Sequence, residues 1–419
     1  MKLIEKKVNA ICEKAKKAAI KLADTSNSER NKALQLISNN IIKFKNKIII
    51  ANKKDIALAK KVKTPHHLLD RLLLDNDRIN NMATDIKNIA KLPNPLGKFL
   101  SKSIRPNGLK ISKVSVPLGV IAVIFESRPN VASDVASLCL KSGNSVILKG
   151  GKEAKHSTEI IIKIIKDSLK KTKININAIS SLEDYSRVAV NQLFKMDNYI
   201  DVLVPRGGKE LIKNVREKSN IPVFSHLDGI CHTYIDERVN KEIAINVPVN
   251  AKMRRTSICG ATETILCHKN IVKTILPKLL STLINLGCEI RGDEDVCKIN
   301  KIVKKANRLD WSTEYLSAVV SIKIVKNIEE AINHINVYSS KHTDAILTTD
   351  KKKAALFLKE VESAIVMHNT STQFADGAEF GLGAEIGIST GKLHARGPVS
   401  TNELTTYKYI VEGTGQLRE

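Results

Sequence analysis

The sequence predicts an α/β protein with more than one domain, on three observations. The chain has 419 residues, which is too long for one simple core and sets an expectation of roughly two to three domains. Hydrophobic residues make up 42% of it, as in ordinary globular proteins. After about residue 97, short apolar runs alternate with helical stretches. That alternation predicts a mostly parallel sheet covered by helices on both faces.

The first hundred residues are predicted to be helical. MKLIEKKVNAICEKAKKAAIKLA repeats apolar residues at helical spacing with lysines on the other face, and it lacks the continuous apolar stretch of a signal peptide. Helical patterns continue over residues 28–61 and 68–90. LPNPLG at 92–97 ends this pattern.

Two sets of strands follow. The first set is VPLGVIAVIFE (116–126), NSVILKGG (144–151) and NYIDVLVPRGG (198–208). Right-handed crossovers between such strands predict a Rossmann-like layered domain. The second set begins near residue 226: GICHTYID (229–236), TETILCH (262–268), LSAVVSIKIV (316–325), TDAILTT (343–349) and ESAIVMHN (362–369). We therefore expect domains at 1–225 and 226–366, with a glycine-rich return segment and tail at 367–419.

Composition argues against several classes of protein. No run of about 18 apolar residues exists, which argues against a membrane span. The net charge of +25 is spread along the chain and aromatic residues are only 4%, which argues against nucleic acid as a partner. The seven cysteines are irregularly spaced without a C-x-x-C pair, so we expect neither disulfides nor a metal site, and a cytoplasmic protein.

Two strand-to-glycine junctions could bind a phosphate. They are ILKGGKE (147–153) and LVPRGGKE (203–210). Glycines after a parallel strand let the backbone approach a phosphate, and the next helix begins with a partial positive charge. Ordinary β–α turns also use glycine, and neither stretch fits G-x-G-x-x-G. The residues alone leave both interpretations open.

Cys259 is the strongest candidate for catalysis. It lies in RRTSICGATET (254–264), after two arginines and before small residues that leave room for a carbonyl substrate. Arg254, Arg255 and a helical turn at 260–263 would each lower the pKa of the thiol and so favour the nucleophilic thiolate. The alternative is a buried structural thiol.

From Val116 to the end, the sequence closely resembles the gamma-glutamyl phosphate reductase family of the aldehyde dehydrogenase superfamily. The matching stretches are VPLGVIAVIFESRPNV, SGNSVILKGGKEA, VPRGGKELI, GICHTYID, NAKMRRTSICGATETILCH, WSTEYLS, HTDAILT, FADGAEFGLGAEIGISTGKLHARGP and ELTTYKYIVEGTGQLR. The N-terminal ANKKDIALAK and LLDRLLLDNDRI also fit. The resemblance covers nearly the whole chain.

The resemblance implies an aldehyde-dehydrogenase-like fold with a Rossmann-like cofactor domain, an α/β catalytic domain and a small oligomerisation element in the tail. It implies a cytoplasmic homo-oligomer, dimer or tetramer, that reduces L-glutamyl 5-phosphate with NADPH through a thioester on Cys259, the second step of proline biosynthesis from glutamate. The cofactor would lie against two turns and one glutamate: Lys149, Gly150, Gly151, Lys152, Pro205, Arg206, Gly207, Gly208 and Glu314.

The remaining site residues are candidates that the expected mechanism requires. A donor to the oxyanion is expected in ESRPN, from Ser127, Arg128 or Asn130, and we assign Asn130. Arg128, Arg255, His394 and Arg396 are assigned to the substrate phosphate or carboxylate, because guanidinium groups bind such anions well. His394 and Arg396 could instead support a contact between subunits.

The sequence departs from the family before and after the cysteine. Met253, Arg254 and Thr256 replace more usual residues, and Gly260 follows the thiol in place of an asparagine. Ser225 stands where a glutamate is frequent, beside His226. A hydrolytic dehydrogenase needs a base to activate water, whereas a reductase does not. Rival interpretations are a hydrolytic aldehyde dehydrogenase, a nucleic-acid-binding protein and a non-catalytic scaffold.

Overall fold

A computed structural model describes residues 2–418 of the chain. These residues form two compact units. The first unit comprises the chain up to Ser225, Gly381–Gly387 and the chain from Val399 onward, and the second comprises His226–Phe380 and Ile388–Pro398. The tail therefore contributes to both units.

Helices open the first unit, and strands and helices alternate after them. In chain order the elements are α1 (Lys2–Ala23), α2 (Asn27–Lys43), α3 (Lys45–Lys61), α4 (His66–Leu72), α5 (Asn76–Lys91), β1 (Phe99–Ile104), β2 (Lys110–Pro117), β3 (Val120–Phe125), α6 (Val131–Lys141), β4 (Ser145–Gly150), α7 (Lys155–Leu169), β5 (Ile179–Ser181), α8 (Arg187–Leu193), β6 (Val202–Arg206) and α9 (Lys209–Lys218). The predicted helical stretch at 28–61 is two helices, which meet at Phe44.

The helix ends and faces follow from local chemistry. Ser26 accepts a hydrogen bond from the backbone N–H of Glu29 at 3.2 Å and so caps α2. The predicted apolar face of α1 is buried and packs in one core with strands β3 and β6. Its lysines stay on the opposite face, as amphipathic spacing predicts.

A parallel sheet with the order β5-β4-β3-β6 lies at the centre of the first unit. Every residue of β3 and β4 is buried, which explains why these strands are continuous apolar runs rather than alternating ones. Because the strands are parallel, the glycine turns after β4 and β6 lie at the same edge, on either side of β3.

The elements of the second unit, in chain order, are β7 (Cys231–Ile235), α10 (Lys241–Met253), β8 (Thr262–His268), α11 (Leu276–Asn285), β9 (Glu289–Gly292), α12 (Glu294–Ile299), β10 (Lys304–Lys305), β11 (Val319–Val325), α13 (Ile328–Tyr338), β12 (Thr343–Leu347), α14 (Lys351–Glu360) and β13 (Ile365–His368). Its parallel sheet has the order β10-β9-β11-β8-β7-β12-β13. The five predicted strands are present, and β9 and β10 were not predicted.

The tail adds short strands, β14 (Gly387–Ser389), β15 (Gly397–Val399) and β16 (Thr405–Glu412). Strand β16 pairs antiparallel with β2, which pairs antiparallel with β1. Single 3₁₀ turns lie at Lys152–Ala154, Ile176–Ala178, Lys269–Ile271, Asp310–Ser312 and Thr372–Phe374. Within residues 2–418, each helix is too short or too polar to cross a lipid bilayer.

Candidate active site

Cys259 lies in the loop between α10 and β8 of the second unit. Strand β7 runs between β8 and β12 in a parallel sheet, so the amino ends of these strands are neighbours. The segments that enter the strands therefore converge: Cys259 before β8, His226 before β7 and His342 directly before β12. One ligand atom from each of these three side chains lies within 4.8 Å of the others.

Hydrogen bonds to Gln373 hold the loop that carries Cys259 in place. The side-chain amide of Gln373 donates to the backbone oxygens of Ala251, at 2.8 Å, and of Arg255, at 3.3 Å. Its oxygen accepts from Nε of Arg254 at 2.9 Å. Arg254 therefore holds the loop in place, rather than acting on the thiol as the sequence analysis expected.

Gly229 lets the segment before β7 pack directly on Cys259. A Cβ atom at position 229 would lie 2.3 Å from the backbone oxygen of Cys259 and 2.6 Å from its Cα. The N–H of Gly229 donates to Oε1 of Glu314 at 2.9 Å. The structure thus places Glu314, a predicted cofactor residue, one hydrogen bond from the segment that touches the thiol loop.

Two histidines favour the ionised form of the Cys259 thiol. Burial by itself would raise the pKa of Cys259, but the imidazoles of His342 and His226 favour the thiolate and bring the pKa well below its ordinary value. Nδ1 of His226 donates to the backbone oxygen of Ile388 at 2.6 Å, since a carbonyl oxygen can only accept. That bond fixes the His226 ring.

The predicted helical turn after Cys259 is wrong. Thr262–His268 is a fully buried strand, and no helix begins at 260–263. A helix dipole therefore makes no contribution at the thiol, and the two imidazoles supply the stabilisation instead. Sequence analysis noted His226 without assigning it a role, and it missed His342, although HTDAILT was a quoted motif.

A buried ion pair fixes α10 against β8 beneath the loop. Lys252 and Glu263 are fully buried and form a short hydrogen-bonded ion pair. Burial raises the pKa of Glu263 to about 7, against the opposing effect of Lys252. Breaking such a pair leaves an uncompensated buried charge, so we take its role as structural.

The first predicted cofactor turn lies at the carboxyl end of β4 in the first unit. Lys149 is buried, its ammonium donates to the backbone oxygen of Gly150 at 2.8 Å, and burial lowers its pKa. Lys152 is exposed.

Glu153 lies against Gly151, where a Cβ atom would be 2.1 Å from Oε1 of Glu153. The same oxygen accepts from the N–H of Ser127 at 2.6 Å.

The second predicted turn already holds a carboxylate. Pro205 and Arg206 end β6, and Gly208 caps α9. The N–H of Gly208 donates to Oε2 of Glu126 at 2.9 Å, and a Cβ atom at Gly207 would lie 2.2 Å from that oxygen. An anion bound at this helix end would have to displace Glu126, which the sequence analysis did not foresee.

Asn130 is positioned by an aspartate on the next turn of α6. Its side-chain amide donates to Oδ2 of Asp134 at 2.9 Å. Asn130 belongs to the first unit and Cys259 to the second, so its assignment as an oxyanion donor stays a prediction. Of the other two candidates, Ser127 gives both its N–H and its hydroxyl to Glu153, at 2.6 and 3.1 Å.

The four predicted substrate residues lie in different places. Arg128 belongs to the first unit, whereas Arg255, His394 and Arg396 belong to the second. Arg255 and His394 are exposed. Arg396 donates to Oε1 of Glu362 at 2.8 Å and to its backbone oxygen at 3.3 Å. Arg396 is therefore already paired with a carboxylate.

Comparison with known proteins decides the family. The aldehyde dehydrogenase family model matches residues 2–310. The gamma-glutamyl phosphate reductase of Brucella suis biovar 1 is 46% identical over 406 residues, which cover 97% of this chain and 96% of that protein. The chain belongs to the gamma-glutamyl phosphate reductase family of aldehyde dehydrogenases. It is an oxidoreductase, and the family uses a nicotinamide cofactor.

Solved structures agree with the fold. The crystal structure of gamma-glutamyl phosphate reductase from Thermotoga maritima matches with a TM-score of 0.95 and 38% identity, covering 98% of this chain and 100% of that one. A propionaldehyde dehydrogenase from Rhodopseudomonas palustris, solved with bound CoA and an acylated cysteine, matches with a TM-score of 0.69 at 15% identity, covering 97% of each chain. The latter shows the fold alone. The predicted aldehyde-dehydrogenase-like α/β fold is confirmed.

Proposed function

We propose that the chain reduces L-glutamyl 5-phosphate to L-glutamate 5-semialdehyde and phosphate, with NADPH as reductant, as a step of proline biosynthesis. The observation that carries this proposal is the thiol of Cys259 beside His226 and His342, which lower its pKa. The substrate is taken from the name of relatives such as the Brucella enzyme, which is similar over nearly its whole length.

The chemistry of the thiolate follows from that geometry. The sulfur attacks the acyl carbon, the carbon–oxygen bond to phosphate breaks, and phosphate leaves with the electron pair. A donor, a role we give to Asn130, stabilises the oxyanion that forms as sulfur adds to the carbonyl, and loss of phosphate leaves a thioester on Cys259. After reduction, the carbon–sulfur bond breaks, the aldehyde leaves and the thiolate is restored beside the two imidazoles. One proton is consumed in each turnover.

Reduced nicotinamide, when bound, supplies the hydride. Lys149, Gly150, Gly151 and Lys152 fit a dinucleotide, because glycines bring the backbone close and Lys149 is a buried cation. At the second turn, Glu126 already accepts from Gly208. A carboxylate there fits a ribose hydroxyl, a donor, better than a phosphate. We assign Glu314 to the nicotinamide ribose, as the resemblance implies.

Arg128, Arg255 and His394 remain our candidates for the substrate phosphate and carboxylate. Arg396 supports this role less well, because Glu362 already binds it. Arg255 and His394 are exposed, so a substrate anion can reach them without a charged side chain first being buried. Bidentate guanidinium contacts would fix the orientation of the acyl phosphate.

We further propose a homo-oligomer formed through the sheet of β1, β2 and β16. Every residue of β1 is exposed, and so are apolar side chains on β16 such as Tyr409 and Val411. Contiguous exposed apolar surface marks interaction sites. A cytoplasmic location fits the seven cysteines, which are all free.

The proposal is tested by oxidation of the semialdehyde in the reverse direction. Phosphate-dependent reduction of NADP⁺ is expected for the wild type, and Cys259→Ser should abolish it. Cys297→Ser is the control, because that thiol lies elsewhere in the second unit and donates only to the backbone of Gly292. Activity retained in Cys259→Ser would end the proposal. Oxidation that does not depend on phosphate would instead favour a hydrolytic dehydrogenase.

Two further measurements address the intermediate and the cofactor. Enzyme incubated with acyl phosphate but without dinucleotide should carry a glutamyl adduct on the peptide that contains Cys259, as peptide mass spectrometry would detect. An adduct on another residue would contradict the thioester. A larger thermal shift with NADPH than with NADH would support the cofactor assignment, with Lys152 near the 2′-phosphate.

A further inference from the structure

Two groups of histidine, cysteine and acidic side chains in residues 2–418 bring their ligand atoms within 4.8 Å of one another. The first is His226, Cys259 and His342, called here the thiol cluster. The second is Asp236, Glu237 and His268, called the acidic cluster. Spacing of this kind is what a bound metal ion requires.

The acidic cluster already contains a cation. Nζ of Lys353 lies 2.8 Å from Oδ1 of Asp236 and 2.8 Å from Oε1 of Glu237. The other oxygen of Glu237 accepts from the side chain of Asn270 at 2.6 Å, and Nδ1 of His268 accepts from the Asn270 backbone at 3.1 Å. The arrangement is explained by the lysine.

The thiol cluster differs from the acidic cluster in the groups that its ligand atoms bind. Nδ1 of His226 donates to the backbone oxygen of Ile388, which leaves the lone pair of the neutral ring on Nε2. A carbonyl oxygen that binds the second ring nitrogen in this way is the usual support of a metal-binding histidine. His342 is fully buried. Its Nδ1 lies 2.9 Å from Oγ1 of Thr343, while its Nε2 has no hydrogen-bond partner in the described chain.

One thiolate and two imidazoles form a donor set typical of zinc. Such sites take three protein ligands and leave a fourth position for water. Local sequence does not predict the site, since its ligands precede three different strands and meet only through the order β8-β7-β12.

We propose that Zn²⁺ binds reversibly to Sγ of Cys259 and to one imidazole nitrogen each of His226 and His342, and thereby inhibits the enzyme. Three coordinate bonds form, no electron is transferred, and any proton still on the thiol is released to solvent. The bound sulfur shares one of its lone pairs with zinc and carries less negative charge, so it is a weaker nucleophile towards an acyl carbon. The inhibition rests on the proposed function, in which Cys259 is the nucleophile, whereas the binding does not.

Binding is measured first, on the full chain without substrate. Chelator-treated enzyme is titrated with Zn²⁺ against a chromophoric chelator, and one tight site per chain is expected. Cys259→Ser, His226→Asn and His342→Asn should each weaken it by at least about a hundredfold, because each removes a ligand. His268→Asn, in the acidic cluster, is the matched control and should leave affinity and activity unchanged. Equal affinity in wild type and Cys259→Ser would overturn the site.

Two probes on the wild type cover the case that a variant fails to fold. Co²⁺ should give a thiolate charge-transfer absorption band, and Zn²⁺ should block alkylation of Cys259 until a chelator is added. Alkylation that continues unchanged with zinc present overturns the proposal and leaves the proposed function intact. Protection of Cys259 together with full activity overturns the inhibition and contradicts the role of Cys259 as nucleophile.

Discussion

The loop before β8 and the start of β7 present two thiols to the same imidazole with opposite results. Cys231, the first residue of β7, lies with its sulfur 3.7 Å from Nδ1 of His342 and donates to the backbone oxygen of Cys259 at 3.1 Å. Burial and the carboxylate of Asp344 raise the pKa of Cys231 well above its ordinary value. The pKa of Cys259 is lowered by His342 and His226.

The difference shows that proximity to a histidine does not by itself activate a cysteine. Cys231 is fully buried and Cys259 is partly buried, and burial favours the neutral form of a thiol. Cys259 has two imidazoles to offset that cost, whereas Cys231 has one imidazole and a nearby carboxylate. We therefore expect only Cys259 of the two neighbouring thiols to act as a nucleophile, and the following experiments test that contrast.

The largest expected effect is the difference in alkylation between the two thiols. At neutral pH iodoacetamide should modify Cys259 much faster than Cys231, because the lowered pKa of Cys259 and the raised pKa of Cys231 give the two thiols very different thiolate fractions. The rate at Cys259 should persist below pH 8 and fall only as the pH drops through its lowered pKa. Peptide mass spectrometry over time separates the two sites. Comparable rates would contradict the assigned ionisation states.

Replacing His342 with asparagine removes one imidazole from the thiol. We expect the pH midpoint for alkylation of Cys259 to rise by at least about one unit. We also expect kcat/KM to fall about a hundredfold, a loss typical of removing a group that donates or accepts a proton during the reaction. Activity should recover partly at high pH, where solvent deprotonates the thiol. The exposed His368 provides the matched control, His368→Asn. A uniform loss of activity at every pH would instead indicate a structural role.

Gly229→Ala should displace the thiol loop without altering an ionisable group. The added methyl group would lie 2.3 Å from the backbone oxygen of Cys259, so the backbone must move. Small shifts of a reacting group are costly, and we expect a loss in kcat of about tenfold to a hundredfold. Gly391→Ala is the control, because the nearest atom to its Cβ position, Oγ of Ser389, is 3.8 Å away. Full activity in Gly229→Ala would show that the loop tolerates displacement.

Much of the fold could be predicted from the sequence because its strands are apolar runs. The buried strands β3, β4 and β8 coincide with predicted segments. Strands β9 and β10 were missed because they are short and partly polar, and β1 because all of its residues are exposed. Hydrophobic patterning reports burial, so an exposed edge leaves little signal.

Local sequence could predict only part of the candidate site. The arginines and small residues beside Cys259 made it a candidate nucleophile, and the resemblance to the family favoured that role over a structural thiol. His342 lies far along the chain, and only the pairing of β12 with β7, and of β7 with β8, brings it to the thiol. The predicted helical turn at 260–263 conflicted with the predicted strand at 262–268, and the strand was correct. Long-range pairing of parallel strands cannot be obtained from local sequence.

The smallest expected effect concerns Asp134, a partly buried acid in the first unit that, unlike Cys259, has a pKa shifted towards the neutral form. Burial, together with Asp85, raises the pKa of Asp134 to about 7. Because the folded pKa lies above the unfolded one, near 3.9, Asp134 contributes most stability at low pH and that contribution is lost as the pH rises through 7.

Asp134→Asn removes this titration and keeps an oxygen that can accept from the side chain of Asn130. We expect the melting temperature of the variant to equal that of the wild type near pH 4 and to exceed it above pH 8. A change of ~1 kcal/mol in the free energy of unfolding shifts the melting temperature of a domain of this size by about 2–4 °C. Thermal melts at both pH values provide the measurement, with Asp77→Asn as the control, because Asp77 lies exposed in the first turn of α5. A variant that is less stable at high pH would show that the ionised carboxylate of Asp134 is needed to hold Asn130, and the contrast with Cys259 would fail.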